Sequence, residues 1–108
     1  MLLALAFAAS LGAYTPVDAG QPSGYDLVAG VNAYRASQGY YAIGTNTLVM
    51  AAAQAHADWI VQTGQGGHTG SGGSDETMRV SWTGYGGGAS IQCDEAWAAS
   101  SPDLSTWE

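Results

Sequence analysis

The sequence predicts an α+β fold in which helices come first and a strand comes late. Apolar residues recur at helical spacing in two stretches of the first sixty residues, and two glycine-rich loops then cut the chain into pieces too short for long helices. The short segment Ser90–Cys93, SIQC, follows the second loop and reads as a strand. With 108 residues the chain is in the range of one domain and too short for two independent cores.

Residues Met1–Ala13, MLLALAFAASLGA, are almost wholly apolar, but shorter than the ~20 residues that cross a bilayer as a helix. The run reads as the h-region of a secretory signal peptide. Small-residue exits end at Ala13 and at Ala19, and the second, just before the polar GQPSG, is the expected cleavage point. No Lys or Arg precedes the run, so the natural start is expected upstream of Met1. The alternative is a buried N-terminal helix of the mature fold.

Residues 20–26 then form a linker, and residues 27–108 form the domain. Leu27, Val31 and Tyr34 fall on one face of a helix that runs to Gln38 and ends at Gly39. After the irregular YYAIGT, Asn46 is placed to cap a longer helix whose stripe is Leu48, Ala52, Ala55 and Trp59. That helix stops in TGQGGHTGSGGS, where six glycines in twelve residues make regular structure entropically costly. Ser74, followed by Asp75 and Glu76, predicts the cap of a short helix through Met78 and Val80 towards Trp82. GYGGGAS is a second loop, and SSPDLSTWE carries a further helix start. The chain ends barely two turns later, which predicts a truncated domain.

Nine acidic residues face only Arg35 and Arg79, with no lysine, for a formal charge of -7. Such a surface has nothing to release counterions from phosphates, which excludes nucleic acid as a partner, and it lacks the basic clusters that hold proteins on anionic membranes. No stable membrane insertion is expected once the apolar leader is gone. Cys93 stands alone before Asp94 and Glu95, whose charges disfavour its thiolate, so it predicts a structural thiol, or a bridge to a cysteine beyond Glu108, rather than a nucleophile.

Standard catalytic patterns are missing: there is no G-x-S-x-G, H-E-x-x-H, Walker or EF-hand signature. GYGGGA from Gly84 formally matches G-x-G-x-x-A but follows a helix rather than a strand. The serines near His68 come with the Gly-Ser loop and do not by themselves make a triad. His56, at the edge of the alanine-rich helix, reads as a partly buried packing histidine without a second ligand at i+4. His68, in the flexible loop, is free to enter a cleft, and Glu95 is its natural partner. A histidine and a carboxylate together can share a metal or orient a water, although zinc needs at least three protein ligands.

From Leu27 onward the chain resembles the CAP superfamily of cysteine-rich secretory, antigen 5 and pathogenesis-related 1 proteins, also called SCP domains, in its bacterial form. LVAGVNAYRASQG resembles the opening helix of that family, with Asn32, Tyr34, Arg35 and Gly39 in matching places. NTLVMAAAQAHADWIVQTG resembles the next helix, and HTGSGGSDETMRVSWTGY the loop after it, including Arg79 and Gly84-Tyr85. CDEAWA looks like the Glu-Asn-x-Ala strand motif, with Ala96 where Asn is usual.

The resemblance implies a three-layer alpha-beta-alpha sandwich, here incomplete, with the N-terminal helices and first strand present. It also implies that His68 and Glu95 face one another in a central cleft, which many members complete with a second Glu and His and some load with a divalent metal such as Zn2+. The expected function is a secreted, non-catalytic module that binds a lipid or cell-envelope ligand. Tyr40, Tyr41, Trp82 and Tyr85 near the loops are candidate contacts, although core packing is expected to use most of them. The alternatives are a divalent-metal-assisted hydrolase using His68 and Glu95, and a fragment without autonomous activity.

Overall fold

The computed structural model describes residues 3–8 and 23–99. The expected cleavage after Ala19 and the helix start at residues 100–108 lie outside them. In chain order the elements are strand β1 (Leu3–Ala8), helix α1 (Gly24–Ser37), helix α2 (Thr47–Thr63), helix α3 (Glu76–Trp82) and strand β2 (Asp94–Ala99). Single 3-10 turns at Ser71–Gly73 and Tyr85–Gly88 punctuate the two glycine-rich loops.

β1 and β2 pair in parallel, from Leu3 opposite Asp94 to Ala8 opposite Ala99. Parallel neighbours need a long crossover, and here all three helices lie within it. β1 falls inside the apolar run that predicts a signal peptide, and the alternative of an N-terminal helix is corrected: Leu3–Ala8 is a strand. A short, continuous apolar run suits a strand covered on both faces, and α2 runs against this one.

α1 begins earlier than its apolar spacing predicts. Ser23 and Asp26, placed in the linker by sequence, close a capping box: Ser23 Oγ accepts from the Asp26 amide and Asp26 accepts from the Ser23 amide at 2.7 Å. The Ser23 hydroxyl and amide both donate to the Asp26 carboxylate and hold it below its ordinary pKa of 3.8. The expected face of Leu27, Val31 and Tyr34 is not the buried one. Val28 is buried instead, and the other three residues line a shallow groove with Asp26 and Gly30. Gly39, at φ 76°, ends the helix as expected. Asn32 pairs by both ends of its amide with the backbone of Ile43, and Arg35 donates to the Tyr41 carbonyl, so α1 pins the irregular segment ahead of α2.

Asn46 caps α2 as expected, accepting from the amides of Leu48 and Val49. The buried stripe is rotated from the expected one: Val49, Ala52, Ala53, His56, Ala57 and Ile60 face inward, whereas Leu48 and Ala55 are exposed. Gln54, Asp58 and Gln62 recur every fourth residue on the side away from the core, and this polar row sets the rotation against the expected stripe. The core joins Val49, Ala52 and Ala53 to Val80 of α3, with Tyr85, Ile91 and Cys93 packed against it. Alanines at the contact let the neighbouring elements approach closely, and full burial of Val80 contributes ~1.5 kcal/mol or more.

Two further expectations are corrected. α3 is capped by Asp75, which accepts from the Met78 amide at 2.7 Å, and Ser74 is buried rather than capping. The strand lies at Asp94–Ala99, immediately after the expected SIQC. Asp and Glu are poor strand formers, and here pairing with β1 and the ion pair described below override that preference. Cys93 packs against the core, and burial, ahead of the nearby acids Glu76, Asp94 and Asp75, pushes its thiol up.

Candidate functional site

The loop after α2 and the strand β2 converge on one carboxylate. Glu95 is almost fully buried, with 3% of its side chain exposed, and three side chains from different parts of the chain surround it. His68 Nδ1 lies 3.0 Å from Glu95 Oε1, so the expected cleft pair is in contact. Its side chain is 58% exposed, the outward-facing member of the group. Because a carboxylate only accepts, His68 donates from Nδ1, and in the neutral ring Nε2 is then an acceptor.

Arg79, which the sequence does not nominate as a site residue, binds the other oxygen. Its Nη2 donates to Glu95 Oε2, while Nη1 donates to the carbonyls of His68, at 3.0 Å, and Ser74, at 2.7 Å. One guanidinium therefore ties α3, both ends of the Gly-Ser turn and β2 together. The fork of Arg donors makes this possible, where the point charge of a lysine could not reach three acceptors in fixed directions. The available signal was that Arg79 is one of two cations in the sequence and follows the capped start of a short helix.

His56 is also part of the arrangement, more deeply than the edge position predicts. Only 1% of its side chain is exposed. Nε2 donates to the Gly67 carbonyl at 2.9 Å and stands 3.7 Å from Glu95 Oε1, and the ring stacks on Trp59. His56 Nδ1 and Ser74 Oγ are buried without a hydrogen-bond partner, and both point at Gly70. A Cβ at Gly70 would meet Arg79 Nη1 at 2.9 Å, His56 Nδ1 at 3.0 Å and Ser74 Oγ at 3.1 Å. Gly70 has φ -110°, so the need for glycine there is space rather than backbone conformation.

Of the expected aromatic contacts, Tyr40, Tyr41 and Trp82 are exposed and only Tyr85 packs on the core, which corrects the expectation that packing uses most of them. Arg35 sits 5.7 Å from the centre of the Tyr40 ring. Trp97, which shares a face of β2 with Glu95, lies against Gly66.

This arrangement does not fit a divalent cation. Both oxygens of Glu95 are engaged, and the permanent charge of Arg79 stands where it would repel a metal bound to that carboxylate. Among the described residues, no three His, Cys, Asp or Glu side chains are placed to hold a metal ion. What the site offers is an orienting carboxylate, fixed by Arg79, behind a solvent-facing imidazole.

A loop histidine held on a strand carboxylate, within a chain of helices and a parallel strand pair, defines the class: an alpha-beta protein with a His-Glu pair. The sequence profile of the cysteine-rich secretory protein family, CAP, matches residues 28–106, and the chain belongs to that family. No curated protein and no solved structure matches the chain. Among the described residues, no helix is long and apolar enough to cross a membrane.

Proposed function

We propose that this CAP chain is a secreted, non-catalytic binding module whose ligand, a lipid or another cell-envelope component, contacts the outer edge of His68. The observation that carries this reading is the engagement of both Glu95 oxygens, one by His68 and one by Arg79. A carboxylate with both oxygens engaged orients its neighbours and is not free to act as a base or a metal ligand. The open polar group is then one imidazole edge, suited to recognition.

Export is supported by the apolar run Met1–Ala13 and the small-residue exit at Ala19. The alpha-beta layering of the mature chain is supported by α2 and α3 sharing one core and by α3 packed against β2. The hydrolase alternative, with Zn2+ on His68 and Glu95, has the guanidinium of Arg79 against it.

Calorimetric titration of the chain and of His68→Ala with palmitate, a neutral envelope glycan and Zn2+ tests the reading. Saturable binding of palmitate or glycan, weakened about tenfold in a folded His68→Ala chain, is the expected result. Binding equal in both chains overturns it, as does His68-dependent zinc affinity without either ligand.

A further inference from the structure

We infer that His68 and Trp97 together form a subsite for a neutral sugar, an inference that rests on the binding reading above and names its ligand class. Glu95 and Trp97 are two residues apart on β2, so their side chains leave the same face about 6.6 Å apart. Glu95 holds His68, and the six-membered edge of the Trp97 indole rests on Gly66, where an added Cβ would come within 2.8 Å of Cζ3 and Cη2. The glycine at position 66 lets the indole lie on the loop backbone two residues before His68. Trp97 remains 37% exposed. The loop thus carries an aromatic plate on one side and an imidazole acceptor on the other.

The chemistry of the ligand follows from what this surface accepts. His68 Nε2 takes a hydrogen bond from a hydroxyl, because Nδ1 is committed to Glu95. The indole packs against an apolar C–H face. A pyranose ring presents both, with hydroxyls at its rim and C–H bonds on its face. Anionic ligands are disfavoured by the formal charge of -7, since Arg79 is already committed to Glu95. A lipid tail needs an enclosing apolar channel, whereas the loop between Gly66 and His68 is flanked by exposed Gln65 and Thr69.

The test is NMR titration of the full 15N-labelled chain with tetra-N-acetylchitotetraose, with trigalacturonate and palmitate in parallel. The Trp97 indole N–H and the His68 ring nitrogens are followed. Saturable shifts at both residues with the neutral tetramer are expected, with affinity falling about tenfold in Trp97→Ala, staying within about threefold in Trp97→Phe, and about tenfold weaker for trigalacturonate. Where Trp97→Ala does not fold by circular dichroism, nuclear Overhauser contacts between the Trp97 ring and sugar C–H protons in the native chain decide, and their absence at saturation overturns the subsite. Sugar affinity unchanged in a folded Trp97→Ala chain overturns it as well. Palmitate binding that depends on His68, with no sugar binding, removes the sugar and leaves the cleft reading intact. No saturable shift with any of the three ligands removes both.

Discussion

Arg79 and Glu95 form a buried ion pair between α3 and β2, with Nη2 donating to Oε2 and only 10% and 3% of the two side chains exposed. Because Nη1 of the same guanidinium holds two loop carbonyls, the pair fixes the position of His68 through its backbone as well as through Glu95. The His68–Glu95 pair is therefore built on Arg79.

Removing one partner of a buried pair strands the other charge. Arg79→Met is expected to cost about 3 kcal/mol, and Arg79→Lys to recover little of it because one ammonium cannot serve three acceptors. The double variant Arg79→Met with Glu95→Leu should lie closer to the native chain than Arg79→Met alone. Urea unfolding of the three variants measures this. A single Arg79→Met cost near zero would show that the pair does not hold the loop.

Gly70 and Gly72 separate space from conformation within one loop. Gly70→Ala forces a methyl group among Arg79, His56 and Ser74, and overpacking of this kind costs about 1–3 kcal/mol. Gly72 has φ 65° and open space around it, so Gly72→Ala pays only the left-handed backbone penalty of about 1 kcal/mol. Gly70→Ala should also disturb the His68 and Glu95 resonances, whereas Gly72→Ala should leave them in place. Equal perturbation by both would remove the packing explanation.

The two histidines are expected to hold opposite tautomers when neutral. His68 gives Nδ1–H to Glu95, and His56 gives Nε2–H to the Gly67 carbonyl. Long-range 1H-15N correlation at alkaline pH distinguishes the four ring nitrogens directly. Glu95→Leu should release His68 to the tautomer mixture of a free imidazole while His56 keeps its form. A His68 already in such a mixture in the native chain contradicts the orienting role of Glu95.

Asp26 sets a pH window at the start of α1. Its carboxyl titrates below the ordinary 3.8 because the Ser23 hydroxyl and amide favour the charged form. A depressed carboxyl contributes stability that is present above 3.8 and is lost as pH falls through the lower folded value. Protonation of Asp26 on going below that value should fray Gly24–Leu27, and Asp26→Asn should abolish this step. Amide exchange at Ser23–Leu27 down the acid range reads it, and a Ser23 amide that exchanges no faster in Asp26→Asn than in the native chain at pH 6 would refute the cap.

Residues whose local chemistry is self-contained were legible in the sequence: Asn46 as a cap, Gly39 as a stop and the short helix towards Trp82. The His68–Glu95 contact was legible only through a family pattern, because it spans 27 residues and no periodicity connects a loop to a strand. Rotation of α2 was misread from its apolar residues, since Leu48, Val49, Ala52 and Ala53 all fit a stripe, whereas the polar row Gln54, Asp58 and Gln62 marks the outer face. Arg79 was missed for a related reason: its partners are two backbone carbonyls and a distant carboxylate, and backbone acceptors leave no trace in a sequence. β1 escaped because an apolar run without alternation fits a leader, a buried helix or a covered strand alike.

That last ambiguity has a physical consequence for the export proposed above. Cleavage after Ala19 removes β1 and leaves β2 unpaired along the side that faced Leu3–Ala8. An unpaired edge invites another strand, and Asp94 and Glu95 guard only its first two positions, with Glu95 turned inward to Arg79. Residues 20–108 should therefore self-associate with rising concentration, while the full chain stays monomeric. The His68–Glu95 contact should persist in both forms, because Arg79 still ties Glu95 to α3 and to the carbonyls of His68 and Ser74. Mass spectrometry of the secreted product should place its first residue at Gly20, and sedimentation velocity on the two lengths measures association. A monomeric 20–108 chain with slow amide exchange throughout Asp94–Ala99 would show that β2 does not depend on β1 as a partner.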